Sequence, residues 1–176
     1  AVAKEINDGS EGVIVTHGTD TLHYTAAALS FMLKNLPVPV ALVGSQRSSD
    51  RGSSDAVMNV SCAANFVANS DVAEVCIVMH GNINDDYCLA IRGTKARKMH
   101  TSRRDAFRPI DEMPIARVFT NGRIEILNKT HKKVCDGKVT VDAKFEPKIE
   151  LVYVHPFMDP EIIDFYIDKG YKGLVI

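Results

Sequence analysis

The residues best equipped for chemistry lie in His17-Gly18-Thr19-Asp20-Thr21, directly behind the apolar run Val13-Ile14-Val15. A packed core has no use for two hydroxyls and a carboxylate crowded into one turn. A threonine hydroxyl becomes a nucleophile when a base takes its proton. Lys98, in Arg97-Lys98-Met99-His100-Thr101, is the candidate base, because neighbouring cations and burial both favour a neutral amine. Asp20 would then orient the lysine. Gly18 has no Cβ, so a ligand or another backbone can come close. A helix starting after the turn would aim free N–H groups at it, which suits a carboxylate or a developing oxyanion. Two plainer readings stand beside this one. Asp20 or Thr19 could serve only to cap the helix, and Lys98 could belong to a solvated basic face or a subunit contact. Nothing in the spacing brings residue 98 to residue 19.

Other chemistries lack their patterns. There is no GxxxxGK[ST] phosphate loop, and no GxGxxG follows a strand. His17, His80 and His100 lack a zinc-ligand spacing such as HExxH, so no metal site is expected. No GxSxG nucleophile elbow is present.

The elements that must position these residues follow from periodicity. The run before His17 reads as a buried strand. Residues 20–35 place Leu22, Ala26, Leu29 and Leu33 on one helical face. Pro37 and Pro39 close that helix, and a strand over Val38–Val43 leads into the polar loop Gly44–Asp55. A helix follows over Ser54–Asn69, then a strand over Ala73–Met79 that ends in His80-Gly81-Asn82. Strand, polar turn and helix repeated at this spacing predict a parallel sheet with helices on its faces. Ligands bind outside the carboxyl ends of such strands, where all three polar turns would lie. The link Asn82–Asp86 is too short for a helical crossover, so Tyr87–Arg92 should run antiparallel. Asn121-Gly122 signals a hairpin between Ile115–Thr120 and Arg123–Leu127. Beyond a lysine-rich segment, a strand over Glu150–His155, a helix over Pro160–Lys169 and a strand from Gly173 predict a second small α/β unit.

With 176 residues, 45% hydrophobic and 24% charged, the chain has the mix of an ordinary globular protein. A net charge of -1 gives no global electrostatic case for nucleic-acid or membrane binding, although residues 92–108 carry seven Lys or Arg against one Asp. Cys62, Cys76, Cys88 and Cys135 form no CxxC pair and are expected as reduced, mostly buried thiols of a cytoplasmic protein.

The turn His17–Thr21 resembles the second signature of the L-asparaginase and glutaminase family, and Arg97–Ser102 stands where that family carries its catalytic lysine. Gly44-Ser45-Gln46-Arg47-Ser48-Ser49-Asp50-Arg51, Asp55-Ala56, Asp85-Asp86-Tyr87-Cys88 and the run Lys98–Phe107 are similar to one branch of it, the D subunits of archaeal glutamyl-tRNA(Gln) amidotransferases. The resemblance runs over nearly the whole chain. It implies an α/β fold, a doubly wound, mostly parallel sheet of the asparaginase type. Residues 1–127 would form the amidohydrolase domain, 128–148 a linker and 149–176 the start of a smaller carboxyl-terminal α/β domain.

The same resemblance implies hydrolysis of glutamine to glutamate and ammonia by a threonine-lysine-aspartate set and a second threonine. Thr19 would be one hydroxyl of the site. Asp20 would orient the lysine and bind the substrate amino group, and Lys98 would be the base. Gly18 and Ser45 would stand at the substrate pocket. The ammonia would pass to the E subunit, which uses ATP and Mg to convert Glu-tRNA(Gln) to Gln-tRNA(Gln); this chain would bind no cofactor itself. The implied partners are glutamine or asparagine, the amidotransferase E subunit, and a second copy in a homodimer within a heterotetramer. Contact with tRNA would run mainly through the E subunit, with no membrane involved. A free-standing L-asparaginase is the rival reading in chemistry, and the runs Gln46–Arg51 and Arg103–Phe107 argue against it. A non-catalytic module docking a partner through residues 92–108 is the rival of another class.

One departure is large. The family's other catalytic threonine lies in a Thr-Gly-Gly-Thr-like turn after its first strand, and nothing in this sequence matches it. Residues 1–8 read as the tail of a helix, and Gly173–Ile176 as a strand that stops before any turn. The expectation is a piece of a longer chain, inactive alone, with a strand missing from its sheet and an apolar edge exposed.

Overall fold

The computed structural model describes residues 1–176. A short helix α1 (Val2–Asn7) leads into β1 (Val13–Thr16), α2 (Leu22–Met32), β2 (Leu33–Lys34), β3 (Val40–Val43), α3 (Ala56–Asn69) and β4 (Val75–His80). β1 pairs with β3 and β3 with β4, both in parallel. The helix between each pair supplies the crossover that parallel strands need. β5 (Tyr87–Arg92) turns back antiparallel to β4, and β8 (Ala116–Phe119) and β9 (Ile124–Ile126) extend the sheet to the order β1-β3-β4-β5-β8-β9. β5, β8 and β9 meet antiparallel neighbours, so β1, β3, β4 and β8 point one way and β5 and β9 the other. Between β5 and β8 a separate hairpin forms from β6 (Ala96–Lys98) and β7 (Phe107–Pro109).

Burial follows the position in the sheet. Every residue of β3 and β4 is buried, as strands covered on both faces require. β1 differs from the buried strand expected of its apolar run. It has a neighbour on one side only, and its residues alternate between half-buried and exposed. α2 buries Leu22 and Ala26, the start of the predicted stripe, while Leu29 packs at the margin of the core. The helix ends at Met32, and Leu33 is buried in β2, with Asn35 beyond it at φ 58°. Phe66 of α3 and Phe107 of β7 are the bulkiest fully buried side chains. Each contributes roughly 1.5–3 kcal/mol of burial free energy. The β8–β9 hairpin turns at Asn121-Gly122, where Gly122 takes φ +93°, a region glycine enters at little cost.

The chain divides into two units, Ala1–Asp142 and Ala143–Ile176. The boundary falls inside the segment 128–148 expected as a linker. Its first part is fastened to the first unit, because Val134 and Cys135 donate backbone N–H groups to the carbonyls of Asp71 and Pro37. β10 (Thr140–Val141) pairs antiparallel with β2. In the second unit β11 (Ile149–Leu151) and β12 (Gly173–Val175) pair in parallel, joined through α4 (Glu161–Asp168). No helix is long and apolar enough to cross a membrane. Cys62, Cys76 and Cys88 are buried free thiols, and Cys135 is exposed.

Candidate active site

β1, β3 and β4 run in the same direction, so their carboxyl ends bring His17, Gly44 and Gly81 to one edge of the sheet. Gly44 is needed there for its size. A Cβ at this position would sit 2.5 Å from the His17 carbonyl oxygen and 3.1 Å from Thr19 Cγ2, so only glycine lets the two turns touch. His17 stiffens its own turn. Its Nδ1 donates to the Gly18 carbonyl at 2.7 Å, which leaves Nε2 to accept the Thr25 hydroxyl at 3.0 Å. Gly18 and Ser45 line one open cleft of about 440 Å³ with His17, Gly44 and Ala56.

The residue the spacing could not place arrives from the β6–β7 hairpin. Lys98 ends β6 opposite Phe107, and Met99 donates its N–H to the Ala106 carbonyl, which closes the loop beyond. Lys98 Nζ then lies 3.0 Å from Thr19 Oγ1 and 2.7 Å from Asp20 Oδ1. The lysine side chain is 10% exposed, and that of Asp20 is 95% exposed. The hydrogen bond from Lys98, and then its charge, hold the Asp20 carboxyl below its ordinary range. Asp20, Lys98, Met99, His100 and Thr101 border a second concavity, which shares the His17–Asp20 turn with the first. The capping alternative is not what these side chains do. Thr21 is the residue at the α2 N-terminus, and no side chain caps it.

Most of the basic run is paired with carboxylates within the chain. Arg92 pairs with Glu74 and Glu112, Lys95 with Asp111, and Lys98 with Asp20. Arg103 and Arg108 close on the buried Asp105, and Arg104 pairs with Asp85. The hydrogen bonds and charge of these arginines hold the Asp105 carboxyl low. These ion pairs fold the loop that follows Lys98.

Ser45 has a more specific place than its position in the sequence suggested. Its hydroxyl donates to Asp55 Oδ1 at 2.9 Å. Asp55 is fully buried just before α3, and it also accepts the N–H groups of Gln46 at 3.0 Å and Arg47 at 2.9 Å. Burial by itself would raise the Asp55 pKa, but these donors outweigh it and lower it. Asp55 was legible only as part of a similar motif. The spacing to Asn59, one helical turn on, was the available signal for a buried polar pair.

A family model described as "Asparaginase, N-terminal" matches residues 1–132. The glutamyl-tRNA(Gln) amidotransferase D subunit of Pyrococcus furiosus is 62% identical over 174 residues, which cover 99% of this chain and 40% of that protein. The protein of the same name from Methanosarcina barkeri is 54% identical over 176 residues, covering 100% of this chain and 41% of that protein. The chain thus spans about 40% of the length of the curated relatives it matches. Among solved structures, the thermostable L-asparaginase from Thermococcus kodakarensis superposes with a TM-score of 0.82 at 28% identity, covering 98% of this chain and 49% of that one. L-asparaginase I from Vibrio cholerae gives 0.82 at 27%, covering 98% and 50%. With a matched family model over three quarters of its length, an asparaginase-type sheet and the Thr19–Lys98–Asp20 contact at its carboxyl edge, this chain belongs to the asparaginase family.

Proposed function

We propose that the protein carrying this chain is the glutamine amidohydrolase component of a tRNA-dependent amidotransferase, releasing ammonia for the conversion of Glu-tRNA(Gln) to Gln-tRNA(Gln). The observation that carries the chemistry is the position of Lys98 Nζ, within hydrogen-bond reach of both Thr19 Oγ1 and Asp20 Oδ1. As an ammonium, lysine only donates; as an amine it keeps donors and gains a lone pair. The amine can therefore donate to Asp20 and accept the Thr19 proton without moving. Thr19 Oγ is then able to attack the amide carbon, or to take the proton of a second hydroxyl held beside it. The amide nitrogen leaves as ammonia once it has received a proton, and water completes the hydrolysis to the acid. The exposed face of Asp20 is free to bind a substrate amino group. Gly18 and the Ser45 backbone would line the amide pocket, while the Ser45 hydroxyl serves Asp55.

The amidotransferase reading is favoured over a free-standing L-asparaginase by identity. It reaches 62% with a protein named as the D subunit of an amidotransferase, against 28% with an L-asparaginase. In this reading the partner is the E subunit of a cytoplasmic complex, two copies of the present protein form a homodimer within a heterotetramer, and ATP and Mg serve the E subunit alone. The internal pairing of the 92–108 cations supports tRNA contact mainly through that partner. The test is ammonia release from glutamine and from asparagine, with and without the partner. Glutamine hydrolysis that rises when partner and Glu-tRNA(Gln) are added is expected. Brisk asparagine hydrolysis by the protein alone, indifferent to the partner, would replace this reading with the asparaginase one.

A further inference from the structure

A polar chain crosses the core from the Gly44–Arg47 turn to the loop beyond Lys98, and a buried histidine stands in its middle. Asn59 has one orientation that satisfies its neighbours. Its Nδ2 lies 2.9 Å from Asp55 Oδ2 and 3.0 Å from the Gly44 carbonyl oxygen, both acceptors. Its Oδ1 must therefore face donors. These are His80 Nδ1 at 2.5 Å and the Cys88 thiol at 3.4 Å, so His80 carries a proton on Nδ1.

The other ring nitrogen, Nε2, lies 3.1 Å from Asp85 Oδ1, which also accepts Arg104 Nη1 at 2.6 Å. The hydrogen bond from His80, aided by the charge of Arg104, holds the Asp85 carboxyl below its ordinary range. Asp85 Oδ1 thus ties the far side of the ring to Arg104. His80 itself is fully buried. The groups facing it are Asn59, with Asp55 behind it, from α3; Cys88 from β5; Asp85 from the β4–β5 link; and Arg104 from the loop after Lys98. Asp55, through Asn59, and Asp85 thus stand on opposite sides of the ring along this chain.

The chain closes on itself. Asp55 holds the backbone of Gln46 and Arg47, and the Gln46 side chain donates to the Arg103 carbonyl at 2.9 Å, next to Arg104. We propose that Asp55, Asn59, His80, Asp85 and Arg104 form a positioning relay that keeps the Gly44–Arg47 turn in register with the Lys98 loop. Its effect on turnover rests on the amide-hydrolase reading above; its hold on the turn does not.

The test uses the full-length protein and its Asp85→Asn variant. Asp85 is largely exposed, so the substitution spares the core. In Asp85→Asn, hydrogen exchange at the Gln46 and Arg47 amides should speed up. With glutamine as substrate, KM should rise about 10-fold while kcat changes little, because a displaced pocket wall costs positioning and the base is untouched. A merely structural role would lower the active fraction and leave KM alone. Unchanged exchange at Gln46 and Arg47, or an unchanged KM, in Asp85→Asn overturns the relay. If no amide is hydrolysed at all, the functional reading fails, and the exchange rates still decide the relay.

Discussion

Phe107 stands directly across the β6–β7 ladder from Lys98, so a fully buried ring and the candidate base share one rung of the hairpin. The ring is the anchor and the amine the working end. Phe107→Ala removes a large core side chain and should cost about 3–5 kcal/mol of stability. Denaturant midpoints at constant slope measure that loss. Where the variant folds, turnover should fall as well, since the hairpin that aims Lys98 has lost its anchor. Phe107→Leu should retain most of both. Equal turnover per folded molecule in the alanine variant would separate the ring from the positioning of the lysine.

Lys98 tests the base assignment by its chemistry. Lys98→Ala should lower kcat for amide hydrolysis by roughly 10²–10⁴, the usual worth of a placed general base. Lys98→Arg keeps the charge and can keep the contact with Asp20, yet a guanidinium does not give up its proton near neutral pH. It should be nearly as poor as alanine in an ammonia-release assay. Substantial activity in Lys98→Arg would mean that this residue supplies charge and not proton transfer. The contact with Asp20 should also survive moderate acid. Lys98 holds the Asp20 carboxyl below its ordinary 3.8, so acid breaks this contact only as pH falls through that depressed value.

Gly44 predicts a different kind of failure. In Gly44→Ala the new methyl group would meet the His17 carbonyl oxygen at 2.5 Å, and neither backbone can simply swing away. Such overpacking typically costs about 1–3 kcal/mol. The displaced residues are His17 and Thr19, so KM and kcat should both worsen beyond what the fall in melting temperature explains. Gly18→Ala is the control, because a Cβ at Gly18 meets nothing within 4 Å. It should fold normally, and any loss of activity it shows must come from the ligand side.

The parallel core of the fold was legible because its signals are local. The apolar runs and polar turns around Thr16, Val43 and His80 dictate strands and crossovers, and parallel strands put their carboxyl ends together. The Asn121-Gly122 hairpin was legible for the same reason. The apolar run of β1 could not reveal how many neighbours the strand has, and with one neighbour its residues alternate between half-buried and exposed. The attachment of residues 128–142 to the first unit rests on backbone hydrogen bonds to Asp71 and Pro37, which leave no mark in composition. In the site, Thr19 and Asp20 declared themselves by crowding polar groups after a strand. Lys98 was placed beside them by resemblance and by nothing in its spacing. The ion pairs of residues 92–108 were hidden because the partners Glu74, Asp85 and Asp111 lie outside the basic run or at its margin. Asn59 and His80 looked unremarkable for the reason that makes them informative: each is satisfied by a residue remote in sequence.

Asp55 joins the site to the acid stability of the fold. Its carboxylate accepts the Ser45 hydroxyl, two backbone N–H groups and Asn59 Nδ2, in full burial. Asp55→Asn keeps the volume but turns one oxygen into a donor that faces other donors. Leaving such buried groups unmatched should cost about 3 kcal/mol at neutral pH. The pH dependence has a definite sign. Hydrogen bonds depress the native carboxyl below its value in the unfolded chain, so the native state binds the proton less readily. The stability Asp55 contributes is therefore complete above the ordinary value of 3.8 and is lost as pH falls through the depressed native one. Wild type and Asp55→Asn should differ most at neutral pH, and their unfolding midpoints should converge as pH is taken well below 3.8. A gap that stays constant through that range would show that the ionised carboxylate is not what holds the Gly44–Arg47 turn.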